Sequence, residues 1–537
     1  MIVTNNSNMK KYLQTIMISA LFVLPILVNA QEAGTIDMNF GTDGVVLIDN
    51  GYTDLFTDVK IQEDQKIVAI GITYDAAWVA SAQAMRFMPD GSLDMDFAND
   101  GVFTYSLNYE ANVFGCLIKE DGKILMTGST TDYNDYRIML IQLNSDGSLD
   151  DTFGNNGVVV QKVSTLEGYF EDHSYDLVMQ DNKILVAGRS TDENYRNSPV
   201  VIRFNEDGSL DNTFGIDGVA RISVVETDNV FDCITIDNDG KIVAAGHYAV
   251  DLLQFSMLVA RFTADGILDD TFNYDGVFIH TLGADAEAYG MGITPNNDIV
   301  VSGFTASSDY NYSMLMMQID GEGMLDVNFG DNGIVISDMG QYDVASAMII
   351  QEDGKILASG GTGAGAPGDA EIVVWRYNPE GTPDITFGTD GISKIQLTSG
   401  VDEALGMALH ANGNIVLAGK SRNEANNFDY FLLRMYNDLT ISINEIESNT
   451  DQMISPNPVA FGRLINLRYN LSEASDVQVE VYNSIGTLVD IIDLGSQNSG
   501  EQINSIAASS SLAPGSYFVR LRANGELNTV SKLIVTQ

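Results

Sequence analysis

Basic side chains are scarce in this sequence. Its 27 Lys and Arg stand against 74 Asp and Glu, a formal charge of −47, and so one-sided a balance excludes nucleic acid as a partner. Cysteine is nearly absent: Cys116 and Cys233 cannot staple 537 residues, so stability must come from burial. Their separation suits two small buried hydrophobes better than a disulfide. The four histidines, His173, His247, His280 and His410, form no H-E-x-x-H spacing, and no G-x-S-x-G elbow is present. A sialidase-type S-x-D-x-G-x-x-W box is missing too. Acids are so abundant that no chosen pair points to glycoside chemistry. Past residue 30, no apolar run is long enough to cross a bilayer as a helix.

What is present begins with an address at each end. Met9-Lys10-Lys11, an apolar stretch from Ile16 to Val28 and the small-residue exit Val28-Asn29-Ala30 predict a secretory signal peptide over 1–30, cleaved after Ala30. Residues 453–537 differ from everything before them. They hold Arg463, Arg468, Arg520, Arg522 and Lys532 against a similar number of acids, so nearly all the acidity lies upstream. Alternation in Val477 to Tyr482 and Tyr517 to Leu521 predicts a small immunoglobulin-like β-sandwich. Ser455-Pro456-Asn457-Pro458, Leu512-Ala513-Pro514-Gly515-Ser516-Tyr517 and the terminal Lys532-Leu533-Ile534-Val535 resemble the type A C-terminal sorting domain of the type IX secretion system. That resemblance implies export through the type IX machinery. It also implies release at, or attachment to, the outer-membrane surface of a Bacteroidetes-type Gram-negative cell, with no transmembrane span in the mature chain.

Between these ends one unit recurs. Asp-x-x-Phe stands at Asp37/Phe40, Asp94/Phe97, Asp150/Phe153, Asp211/Phe214, Asp269/Phe272, Asp326/Phe329 and Asp384/Phe387, with steps of 57, 56, 61, 58, 57 and 58 between the phenylalanines. A glycine follows each Phe, Gly44 through Gly391, and another precedes each Asp, Gly34 through Gly381. These units resemble delta-60 repeats, whose string is carried here in variants such as Asp146 to Gly157. Each holds a hairpin turn and short apolar runs for four strands, one ending at a repeated glycine (Gly71, Gly128, Gly188, Gly246, Gly303, Gly360, Gly419). No helical period competes, so the expectation is all-β, a seven-bladed β-propeller. The last unit stops at Tyr436-Asn437 without its Asp-x-x-Phe segment, and 34–46 carries that segment with no strand before it. The N-terminal segment is therefore predicted to close the ring, which removes two free sheet edges. The expected organisation is signal peptide 1–30, propeller 31–440, linker 441–452 and sorting domain 453–537.

Each repeated Phe reads as a wedge between neighbouring blades. Each repeated Asp reads as an acceptor for the N–H groups of its own turn, with calcium as the functional alternative at Asp146, Asp150, Asp151, Asp207 and Asp211, whose oxygens cluster in glycine-rich loops. No cofactor is required. The stretches after the strand-ending glycines vary between units and occupy one slot, so they should share one rim. Tyr133, Asp135, Tyr136, Tyr195, Tyr310 and Tyr312 make that rim the expected recognition surface. The leading function is a secreted or surface-displayed binding or adhesion module for a polysaccharide or an envelope protein. The alternatives are a carboxylate-dependent polysaccharide hydrolase or lyase working in the ring's funnel, and a structural spacer.

Overall fold

The computed structural model describes residues 32–438 and 454–536, apart from 108, 132–134, 169, 224–227, 252–253, 284, 310, 341 and 364–369 in the first span. In the second span 456, 458, 461–462, 472–473, 484–487, 508–511, 513–514 and 525 are excepted. The signal peptide, the linker, Tyr133 and Tyr310 lie outside the described residues. Residues 31–440 pack as one unit and the chain beyond 440 belongs to another. Among the described residues no helix is long and apolar enough to cross a membrane.

The first unit is an all-β, propeller-type repeat array. Its sheets are four antiparallel strands in sequence order, as in Asp54–Ile61, Ile67–Tyr74, Ala80–Phe87 and Val102–Tyr105. The fifth and sixth sets touch at one parallel pair, Tyr312 with Tyr342. The last set takes Asp402–Leu409, Ile415–Arg422 and Phe428–Met435 from the end of the array, and Val45–Ile48 from its beginning, paired Val45 to Leu433 and Ile48 to Tyr430. Middle strands such as Ile67–Tyr74 are apolar on both faces because a neighbouring sheet covers each face, so they lose the in/out alternation of a half-exposed strand. Each apolar cluster accordingly draws on two adjacent sheets. One holds Phe56, Val59 and Met85 with Ala408, Val416 and Leu432, the first sheet on the last.

The repeated motif is the seam between sheets. All seven phenylalanines are at most 1% exposed. The amide after each one donates to a carbonyl at the next repeat's turn: Gly41 to Asp90, Ala98 to Asp146, Gly154 to Asp207, Gly215 to Asp265, Asn273 to Glu322 and Gly330 to Glu380, at 2.7–2.9 Å. The seventh runs from Gly388 to Ala33 at 2.9 Å. In six repeats the glycine of the receiving turn packs against the preceding repeat's ring. A Cβ on Gly208, whose φ is +83°, would stand 3.0 Å from Phe153, so both the backbone conformation and the contact require glycine.

One expectation is corrected. The seven repeated glycines do not end their strands; Gly71 sits inside Ile67–Tyr74, and the strand runs on past it. Each instead faces a β-bulge in the sheet's first strand, as Gly71 faces the irregularity between Phe56 and Asp58. The bulge pushes a carbonyl inward, and a Cβ on any of the seven would lie 1.9–2.3 Å from that oxygen.

Residues 454–536 form two sheets, one of three strands and one of five. A shared core of Leu467 and Ile506 from one and Val479, Val519 and Leu533 from the other holds them together. Leu464–Leu471 alternates exposed and buried, as a strand with one covered face must.

Candidate functional site

The bulges build the site. The first strands of all the sheets converge on one cavity of about 830 Å³. A bulge inserts one unpaired residue into a strand and re-aims its side chain. The residues so placed are Thr57, Phe114, Tyr175 and Asp232 in the first four sheets, then Tyr289, Ser346 and Leu405. Every one of them lines the cavity. Phe304, Tyr312 and Tyr342 add aromatic wall, and Asp58, Lys60, Asp176 and Glu403 add charge.

Part of that charge is structural. Asp58 takes the Lys60 ammonium at 2.7 Å on each oxygen and also accepts from the Cys116 amide of the next sheet, at 3.0 Å. Burial acts to lower the Lys60 pKa, but Asp58 outweighs it and holds the ammonium charged. Asp176 accepts the Ile234 amide of the following sheet in the same way, 3.0 Å, and burial pushes its carboxyl up to about 6. Cys116 and Cys233 are free and buried, and burial raises both thiols.

The rest of the charge is less fully engaged. Asp232 is pushed well up by burial and then by Glu287. His247 Nδ1 lies 3.7 Å from Asp232 Oδ2 and 3.4 Å from Glu287 Oε2, and neither Asp232 Oδ2 nor His247 Nδ1 makes a hydrogen bond among the described residues. Tyr289, Phe304, Tyr312 and Tyr342 follow one another at centroid separations of 5.8, 5.1 and 5.9 Å, forming a continuous aromatic arc. A glutamate stands at each end: Tyr289 donates to Glu287 (2.8 Å) and Tyr342 to Glu403 (3.1 Å), which also holds Lys420 at 2.9 Å.

Among the described recognition residues expected from the sequence, only Tyr312 reaches this cavity wall. The Tyr136 ring lies tilted against His173 at 4.5 Å, and His173 in turn is near-parallel to the cavity-lining Tyr175 at 6.1 Å. Asp135 is half-buried and Tyr195 is an exposed hairpin residue. The carboxylates considered for calcium serve their own turns. Asp146 accepts from the Ser148 amide (2.9 Å) and hydroxyl, and Asp207 from those of Ser209. Asp150 accepts from the Thr152 amide, Gln142 and Lys123, and Asp211 from the Thr213 amide, Arg203 and Lys183. Asp151 is exposed. Among the described residues no group of three or more His, Cys, Asp or Glu is arranged to hold a metal. The bulge residues escape a reading by motif because their column varies where the seam columns repeat. Their near-constant distance ahead of the repeated glycine is the signal that marks them.

Comparison with known proteins agrees with the repeats and the tail. The beta-propeller model of DUF5122, a domain of unknown function, matches 62–97, 119–153, 180–214, 238–272 and 351–387. A secretion system C-terminal sorting domain matches 453–536. No curated protein matches. Among solved structures, a Dyadobacter fermentans protein of unknown function is 13% identical with a TM-score of 0.39, covering 73% of this chain and 98% of its own. PorZ, a surface component of the type IX secretion system of Porphyromonas gingivalis, is 10% identical with a TM-score of 0.27, over 94% and 87%. A subtype N10 neuraminidase-like protein of A/little yellow-shouldered bat/Guatemala/060/2010 is 10% identical with a TM-score of 0.35, over 73% and 98%.

Proposed function

From a chain that carries DUF5122 β-propeller repeats and a type IX sorting tail, and is therefore secreted or held at the outer-membrane surface, we propose a binding module whose ligand enters the central cavity. In this reading the repeats are seven blades of a ring closed by Val45–Ile48, and the tail is an immunoglobulin-like sandwich read by the export machinery. The pairing of the two ends of the array supports closure.

One observation carries the binding reading. Seven equivalent bulges aim seven side chains at one volume, and there the repeats stop agreeing: Thr, Phe, Tyr, Asp, Tyr, Ser, Leu. A position kept for packing alone would repeat, as the seam phenylalanines do. A cavity of this size with apolar walls and a few fixed polar groups suits a small ligand or the end of a larger one. This moves the recognition surface from the rim tyrosines to the cavity. The test is a glycan array and a small-molecule thermal-shift panel on the mature chain. Hits should vanish with Tyr289→Ala/Tyr312→Ala and persist with Tyr195→Ala; the reverse pattern returns the site to the rim.

A further inference from the structure

Resting on that reading, we infer that the cavity takes an organic cation, a protonated amine whose ammonium sits at the Glu287 end of the aromatic arc and whose body lies along Tyr289, Phe304, Tyr312 and Tyr342.

The walls argue for charge of one sign. Asp58, Asp176, Asp232 and Glu403 line the cavity, and Glu287 flanks it. Among the described lining residues the one cation, Lys60, is committed to both oxygens of Asp58. Lys420 is held by Glu403 at the far end of the arc. The Glu287 end has acceptors in excess of donors: the Tyr289 hydroxyl serves Glu287 alone, and His247 Nδ1, 3.4 Å from Glu287 and 3.7 Å from Asp232, makes a hydrogen bond to neither. A buried carboxylate left without a donor is costly, and an incoming ammonium supplies up to three. The arc is the second, independent observation. Four aromatic rings in sequence offer negative faces to a cation and flat apolar surface to its body, the arrangement that ammonium-binding cages use. Burial and the neighbouring Glu287 raise the Asp232 carboxyl, and an ammonium between them would relieve that repulsion.

Two sources supply such an amine, a de-acetylated amino sugar and a lysine side chain. Both are tested by isothermal titration on the full mature chain. One arm compares chitobiose with free amines to its N,N′-diacetylated form; the other compares Nα-acetyl-lysine amide to the Nε-acetylated compound. The free amine of at least one pair should bind ten times or more tighter than its acetylated partner. Its advantage should fall at least fivefold with Glu287→Gln and with Asp232→Asn, while the surface variant Asp146→Asn keeps it. Ser346→Trp, which fills the cavity from another sheet, should remove binding altogether. Equal binding of free and acetylated forms, lost in Ser346→Trp, overturns the cation and leaves the cavity standing. Binding that survives Ser346→Trp overturns both, and absence of amine binding at millimolar concentration overturns the cation. Each variant is first shown to melt as the parent does. Should Glu287→Gln unfold the protein, Tyr289→Leu takes its place, since it removes the ring beside Glu287 and keeps apolar bulk.

Discussion

A repeated aspartate such as Asp150 gathers donors from three directions. One oxygen accepts from the amide and hydroxyl of Thr152 within its own turn, and the other meets Gln142 of the adjacent strand and Lys123 of the hairpin. In five repeats an arginine replaces the glutamine and does more. Arg86, Arg203, Arg261, Arg376 and Arg434 each lay a guanidinium over the seam phenylalanine at 4.6–4.9 Å, a contact that a lysine's point charge would make poorly. Burial works to raise the Asp150 carboxyl, but the hydrogen bonds from Thr152, Lys123 and Gln142 outweigh it and hold the group below its ordinary 3.8. A carboxylate whose pKa is lower folded than unfolded contributes stability that is complete above the unfolded value and disappears as pH falls through the folded one. Asp150→Asn should therefore destabilise the protein at pH 7. The gap between parent and variant should narrow in urea melts once the pH drops below about 4. A gap that stays constant to pH 2.5 would mean the charge of Asp150 contributes nothing.

At the scale of the strand, the bulge and its facing glycine act as one device. The extra residue re-aims a side chain into the cavity, and the displaced carbonyl leaves no room for a Cβ opposite. Gly188→Ala would put a methyl carbon 1.9 Å from the His173 carbonyl and must flatten the bulge or part the strands. A loss of about 3 kcal/mol or more in chemical unfolding is expected, together with loss of ligand binding as Tyr175 swings away. Gly321→Ala, where the nearest atom is 4.0 Å off, should change little. If the two variants behaved alike, the glycine would have no part in holding the bulge. This device also divides what the sequence discloses from what it withholds. The seam was legible because packing one ring into one turn poses the same problem in every repeat, and Phe153, Asp150 and Gly208 solve it identically. The first-strand residues were not legible. One inserted residue disturbs the period-two pattern without leaving a mark, and Tyr175 or Asp232 resembles an ordinary strand residue until its partner strand is known. The rim tyrosines drew attention because polar, aromatic loops resemble binding surfaces, yet the segments after the repeated glycines begin as strand, and that strand carries Phe304 to the cavity wall.

For the repeat unit as a whole, everything turns on whether its two ends are one structure. Residues 33–48 bring the missing strand to the last sheet, bury Phe40 completely, donate from Gly34 to the Tyr436 carbonyl at 2.7 Å and receive the Gly388 amide on Ala33. Asp37 binds Arg434 (2.8 Å) and the Tyr436 hydroxyl (2.5 Å) across nearly the full length of the repeats. Closing so long a loop costs entropy only logarithmically in its length, about 0.6 kcal/mol per doubling, so one strand and one buried ring are enough to repay it. In an open array each repeat meets only its neighbours, and trimming one end leaves the others as stable as before. In a ring the same cut frees the edge of Phe428–Met435 and uncovers Phe56 and Val59 of the first sheet, whose cluster is completed by Ala408, Val416 and Leu432. Removing 32–48 from the mature chain should therefore lower the single calorimetric transition of the repeat unit rather than add a small early one. Amide exchange should quicken in Asp54–Ile61 as well as in Phe428–Met435. If protection fell only in Phe428–Met435 and the main transition kept its temperature, the array would be open, and the convergence of its first strands on one cavity would need another cause.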